Sequence, residues 1–176
     1  MPKTFYPSSV QQVSDYPDQE IGWVPQNTTH LNYLLNARWK TVRDLAHLSN
    51  PATGDLRNKT YALYCTGFNI PPIEINGIEL TVSAQRNGRI VDDTIQLTYQ
   101  NDPIGVNNFT YDTDSEGHLL LLNQTTYGSP TDLWGATVNS EIVQDPSFGV
   151  ILKFQSHPFY PHRCGMFLDS VAITIY

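Results

Sequence analysis

The clearest alternation of apolar and polar positions lies near the end of the chain. Phe148, Val150, Leu152 and Phe154 share one face of the run 148–154, and Val171, Ile173 and Ile175 share one face of 166–176. Period two marks a half-buried strand, because successive side chains leave a pleated backbone on opposite sides. The same rhythm runs through 61–65, through Ile78, Leu80, Val82 and Ala84 in 78–86, and through Ile95, Leu97 and Tyr99 in 93–99. Shorter strands are predicted at 108–111 and 118–122, with loops at 101–108 and 157–163. Ile73 and Ile75 alternate too, but the phase slips by one at Asn76-Gly77, which predicts a bulge or tight turn. Asn87-Gly88 is the strongest two-residue hairpin signal and predicts that 78–86 folds back on 93–99. Strands at this spacing, separated by turn residues, predict an antiparallel β-sandwich over residues 60–176.

The first 59 residues read differently. In 1–27, Pro2, Pro7, Pro17 and Pro25 punctuate a segment holding Phe5, Tyr6, Tyr16 and Trp23, with no sustained period. Proline excludes regular helix and central strand, while the rings are too numerous for a solvated tail. An extended arm is expected, ordered by lying on its own domain or on a neighbouring subunit. In 28–59, Leu31, Leu34, Leu35, Arg38, Val42, Leu45 and Leu48 fall roughly on one stripe. They predict a short helix within 28–49, capped by Thr28 or Thr29 and ended by Asn50-Pro51, before a loop.

The stretch Tyr127-Gly-Ser-Pro-Thr-Asp-Leu-Trp-Gly135 is turn-rich and carries one large aromatic, Trp134, expected to plug the core. Its end, Asp132-Leu-Trp-Gly135, falls in order with four other stretches: Gly67-Phe-Asn-Ile-Pro71, Ile75-Asn-Gly-Ile-Glu-Leu-Thr-Val82, Ser147-Phe-Gly-Val150 and Asp169-Ser-Val-Ala-Ile-Thr-Ile-Tyr176. Together they resemble the jelly-roll domain of tailed-bacteriophage virion structural proteins, also seen in related bacterial surface proteins. The resemblance covers roughly 60–176. It departs at Pro71-Pro72 and at the loop 157–163, and residues 1–50 lie outside it. It implies an all-β fold: a jelly-roll β-sandwich of two antiparallel sheets, here with an extended N-terminal arm and one short helical segment.

Composition narrows the function. Ten Lys and Arg against 17 Asp and Glu give a net charge of −7, opposite to what phosphate backbones attract, so no nucleic-acid partner is expected. No apolar run approaches the roughly 18 residues that span a bilayer, and no apolar signal core opens the chain, so synthesis in a cytosol is expected. Cys65 and Cys164 stand in no metal or redox spacing and read as free thiols rather than a pair. Four Asn-X-Thr sequons, beginning at Asn27, Asn58, Asn108 and Asn123, read as chance in an Asn- and Thr-rich chain.

His157, His162 and Cys164 fall short of a zinc set, which takes about four ligands. The flanking Phe159 and Tyr160 read instead as contact surface. Asp92, Asp93, Asp102, Asp112 and Asp114 supply oxygens that calcium accepts, without EF-hand spacing; a solvated acidic edge is the simpler reading, a structural calcium the alternative. No Gly-x-Ser-x-Gly elbow occurs, and Glu74 and Glu79 straddle the phase slip, so neither a serine nucleophile nor a carboxylate pair is legible. No catalytic residue, cofactor or metal is assigned.

The resemblance implies a non-enzymatic virion component made in a bacterial cytoplasm. The favoured form is a capsid decoration or accessory protein in a homo-oligomer or symmetric array. Its expected partners are capsid or tail subunits, contacted through Phe5, Tyr6, Tyr16, Trp23, Phe159 and Tyr160. The alternatives are a tail or appendage component, or a lectin-like module for host surface glycan.

Overall fold

The computed structural model describes residues 1–15, 20–25, 37–39, 59–87, 90–110, 123–156 and 165–176. These form an all-β sandwich. One sheet contains β1 (Lys3–Phe5), β4 (Trp23–Pro25), β5 (Ala37–Trp39), β8 (Ile78–Asn87), β11 (Asn123–Ser129) and β13 (Gly165–Ile175). The other contains β2 (Ser9–Val13), β3 (Glu20–Ile21), β6 (Lys59–Thr60), β7 (Ala62–Thr66), β9 (Ile90–Tyr99), β10 (Asp102–Ile104) and β12 (Gly149–Ser156). Pairing is antiparallel except for β3 on β6. We call them the β13 sheet and the β12 sheet after their central strands.

Alternation decides which faces meet. Ile78, Leu80 and Val82 of β8 and Val171, Ile173 and Ile175 of β13 are buried against Ile95 and Leu97 of β9 and Val150, Leu152 and Phe154 of β12. The inward face anticipated for 148–154 is fully buried. Removing this apolar surface from water, at about 25 cal/mol per Å², is what holds the two layers together.

The chain alternates between layers, and this corrects the reading of Asn87-Gly88. β8 pairs with β13 and β11, whereas β9 pairs with β12 and β10. The two strands that Asn87-Gly88 was expected to pair as a hairpin therefore lie in different sheets. An Asn-Gly pair supplies backbone freedom for a sharp reversal, but strand partners are chosen by which faces bury together. The two-residue hairpin sits instead between β9 and β10. There Tyr99 faces Asp102, and both central residues, Gln100 and Asn101, have positive φ (54° and 68°), the type I′ geometry that matches strand twist.

Other expectations shift as well. Residues 102–104, read as loop, are strand; Asn108, Phe109 and Thr110, read as strand, are not. Ile73 and Ile75 lie in irregular backbone, half-buried against the core. At the phase slip, Gly77 exchanges backbone hydrogen bonds with Tyr176. A Cβ on Gly77 would meet the Pro130 carbonyl at 2.2 Å, so the close approach requires glycine. The sequence reading missed β11 and a five-residue helix, α1 (Ser140–Gln144), whose Asn139 cap accepts from Ile142 N.

The predicted helix within 28–49 lies mostly outside the described residues. Its described part, Ala37–Trp39, is strand, pairing with β13 and β4. The strands expected at 111 and 118–122 and the loop 157–163 also lie outside them.

The described residues of the leader, 1–15 and 20–25, belong to both layers. β1 extends the β13 sheet, β2 and β3 extend the β12 sheet, and β4 returns to the β13 sheet. Proline is compatible with this because edge strands have a side on which no N–H is needed. Pro7 is buried between β1 and β2. Next to it, Ser8 N donates to Thr66 O and Gly67 O, both at 3.1 Å.

Candidate functional site

Three polar or exposed constellations stand out from the apolar sandwich. The first bridges the sheets. At the β9 position facing Phe154, the register slips by one and turns Asp92 into the core, while Asp93 forms an ion pair with Lys59 at 2.8 Å. Asp92 is fully buried. Its Oδ1 faces Arg86 Nη2 at 3.1 Å. Its Oδ2 accepts from Tyr127 Oη at 2.9 Å, from Thr110 Oγ1 at 3.0 Å and from Thr110 N at 3.1 Å. Arg86 also lies over the Phe154 ring, 5.4 Å from its centroid, a cation–π arrangement. Burial, then the neighbouring Asp92 charge, pushes the Tyr127 hydroxyl well above the usual phenol range. A buried charge is tolerated only when paired and hydrogen-bonded, and here both carboxylate oxygens are engaged. The group is a clasp between layers, with no oxygen facing solvent for proton transfer.

The second constellation is the turn around Trp134 and the loop beside it. Trp134 is buried in the core, as anticipated. Its ring Nε1 donates to Ile78 O at 2.9 Å, its backbone N to Asp132 Oδ1 at 2.7 Å, and its carbonyl accepts from Val106 N at 2.7 Å. The residue has positive φ (60°), a strained conformation outside glycine that these three bonds hold in place. Asn107 then imitates a strand partner: its Oδ1 accepts from Ile95 N at 2.8 Å, and its Nδ2 donates to Asp93 O at 2.9 Å. Asn108 N adds a bond to Ile95 O at 2.8 Å. The pinned loop carries two exposed apolar side chains, Val106 at 51% and Phe109 at 48% exposure.

The third joins the leader to β12. Lys153 is buried on the β12 sheet and donates to Glu20 Oε1 in β3; its Nζ lies 3.6 Å from Asp15 Oδ2. Glu20 Oε2 accepts from Ser14 Oγ at 2.7 Å and Asp15 N at 3.0 Å.

The residues expected to form a contact surface separate into three groups. Trp23 is 3% exposed, sits edge-on to Phe154 at 6.1 Å and donates from its ring to Tyr61 O at 3.0 Å. That corrects its assignment to an interface: the ring completes the chain's own core. Phe5, opposite Ile173, is half-buried against the same core, while Tyr6 is 43% exposed. Tyr16, Phe159 and Tyr160 lie outside the described residues, as do His157, His162, Cys164, Asp112 and Asp114. Asp92 and Asp93 diverge rather than converge on an ion, and Asp102 is exposed on β10. Among the described residues no group of three or more His, Cys, Asp or Glu is arranged to hold a metal. Cys65 is a free, buried thiol, pushed up to about 12 by burial.

Sequence reasoning missed Val106, Phe109, Asp15, Glu20 and Lys153. The signal for the last three is faint: a lone lysine within the apolar run 148–154, and two acids in the leader. No protein-family model matches the chain, and no curated protein matches it.

Proposed function

We propose that the chain is a non-enzymatic structural component of a tailed-phage virion, a jelly-roll subunit that decorates or braces the capsid. The observation that carries this reading is the way the five resembling stretches meet. Gly67 N bonds to Pro146 O beside the Ser147–Val150 stretch, and a Cβ on Gly149 would meet Cys65 O at 2.0 Å. Ile78 N bonds to Asp132 O, Trp134 Nε1 to Ile78 O, and Asn76 and Gly77 to Tyr176. Segments spread over more than a hundred residues thus lock two junctions of the sandwich, which supports treating the resemblance as one of architecture. Function follows from it by analogy of fold.

Attachment is then assigned differently from the sequence reading. The described leader residues seal edges of their own sheets, and Trp23 is buried at home. The particle contact falls instead to the pinned loop 105–110, with Val106 and Phe109 as anchors. A rigid loop loses little conformational entropy on docking, and repetition in a symmetric shell multiplies a modest contact.

The test is mass spectrometry of particles purified from the lysate that contains the protein, with wild-type and Val106→Ser/Phe109→Ser chains supplied in competition. The reading expects the wild-type chain at fixed stoichiometry and the double variant depleted at least tenfold, with both equally stable in solution. Absence of the wild-type chain from particles rejects the virion role. Equal occupancy rejects the loop as its anchor.

A further inference from the structure

We propose that Lys153, Asp15 and Glu20 form a self-modification site, in which the Lys153 amine condenses with the Asp15 carboxyl to an intramolecular amide. The three groups have the roles such a reaction needs. The lysine side chain is 8% exposed and the Glu20 side chain 2%, while Asp15 is 67% exposed at the rim. Lys153 Nζ lies 3.6 Å from Asp15 Oδ2, an oxygen of the carboxyl group whose carbon it would attack. Glu20 touches both partners at once, accepting from the Lys153 amine through Oε1 and from the Asp15 backbone N–H through Oε2. The Ser14 hydroxyl on Oε2 fixes its orientation.

The chemistry balances without any co-reactant. Transfer of one proton from the ammonium to the Asp15 carboxylate, relayed by Glu20, gives a neutral amine and a carboxylic acid. The nitrogen lone pair attacks the Asp15 carboxyl carbon and forms the C–N bond. Glu20 accepts the second amine proton and delivers it to the departing hydroxyl, the C–O bond breaks, and one water leaves.

The bond would join positions 138 residues apart in sequence and fasten the leader covalently to β12. In the unfolded chain it closes a long loop, which disfavours unfolding entropically. It also prevents the leader from leaving its own sheet for a neighbour's.

The experiment is the intact mass of the full-length chain under denaturing conditions, followed by peptide mapping. The expected mass is lighter than the sequence mass by one water, with a branched peptide joining Asp15 to Lys153. Asp15→Ala, Lys153→Arg and Glu20→Gln each restore the full mass; the first alters an exposed side chain and should leave the fold intact. A wild-type chain that keeps its full sequence mass after prolonged incubation at neutral pH overturns the proposal. So does a water loss that persists in Asp15→Ala. Neither result bears on the virion reading, which stands or falls on particle composition.

Discussion

Tyr127 on β11 donates its phenolic hydrogen across the sandwich to Asp92 on β9, at 2.9 Å. The two strands belong to different sheets, so this bond, with the Arg86–Asp92 ion pair, sets the layers against each other by direction as well as by apolar contact.

Removing Asp92 leaves Arg86 without its carboxylate and Tyr127 and Thr110 without their acceptor. Asp92→Ala is expected to cost about 3–5 kcal/mol, the range for stranding one half of a buried pair. Tyr127→Phe removes one donor to a charged group and should cost about 1.5–3 kcal/mol. Urea unfolding measures both, and a loss below about 1 kcal/mol for Asp92→Ala would mean the clasp contributes little.

Alkaline pH should weaken the fold in two stages. Cys65 titrates at about 12 in the folded chain, against roughly 8.5 unfolded. The unfolded chain releases that proton first, so the stability is complete below about pH 8.5 and falls as pH rises toward 12. The slope is at most about 1.4 kcal/mol per pH unit. Tyr127, raised in the same sense, adds a second decline that begins near pH 10. Urea midpoints between pH 8 and 10 should fall in the wild type and flatten in Cys65→Ala; a flat wild-type profile would contradict the buried-thiol account.

Gly128 has positive φ (79°), and a Cβ there would lie 2.6 Å from Trp134 Nε1 and 2.3 Å from Ile78 O. Those two atoms are the ends of one hydrogen bond. Gly128→Ala is therefore expected to combine backbone strain with overpacking, at about 2–5 kcal/mol. Tryptophan emission should shift to the red as the ring loses its seat, and an unshifted spectrum with unchanged stability would contradict that geometry.

The leader yields the sharpest stability prediction. Trp23→Ala should cost about 3–5 kcal/mol, the range for emptying a large buried aromatic site. Deleting residues 1–25 should leave edges of both sheets unpaired and give an aggregating chain, because open strand edges recruit other strands. Gel filtration distinguishes this from a stable, truncated monomer, which would contradict the assignment of the leader to its own sandwich.

Legibility in the sequence followed burial. The run 148–154 was readable because one whole face is apolar and hidden. The leader was not, because edge strands bond on one side only and carry little apolar surface: β2 reads Ser-Val-Gln-Gln-Val. The Gln100–Asn101 turn hid for lack of glycine: asparagine accepts positive φ readily, but Gln100 gives no such signal. Asp92 looked like an acidic edge because its partners lie 6, 18 and 35 positions away, and only the paired strands bring them together. An aspartate inside the apolar rhythm that begins at Ile90 was the available clue.

Hydroxyl-radical footprinting of the free chain and of particle-bound chain tests the central claim most directly, since it reads side-chain exposure residue by residue. The account predicts that Trp23 resists oxidation in both states, while Phe109 is oxidised in the free chain and protected on the particle. Ready oxidation of Trp23 in the free chain, with protection gained only on the particle, would contradict it.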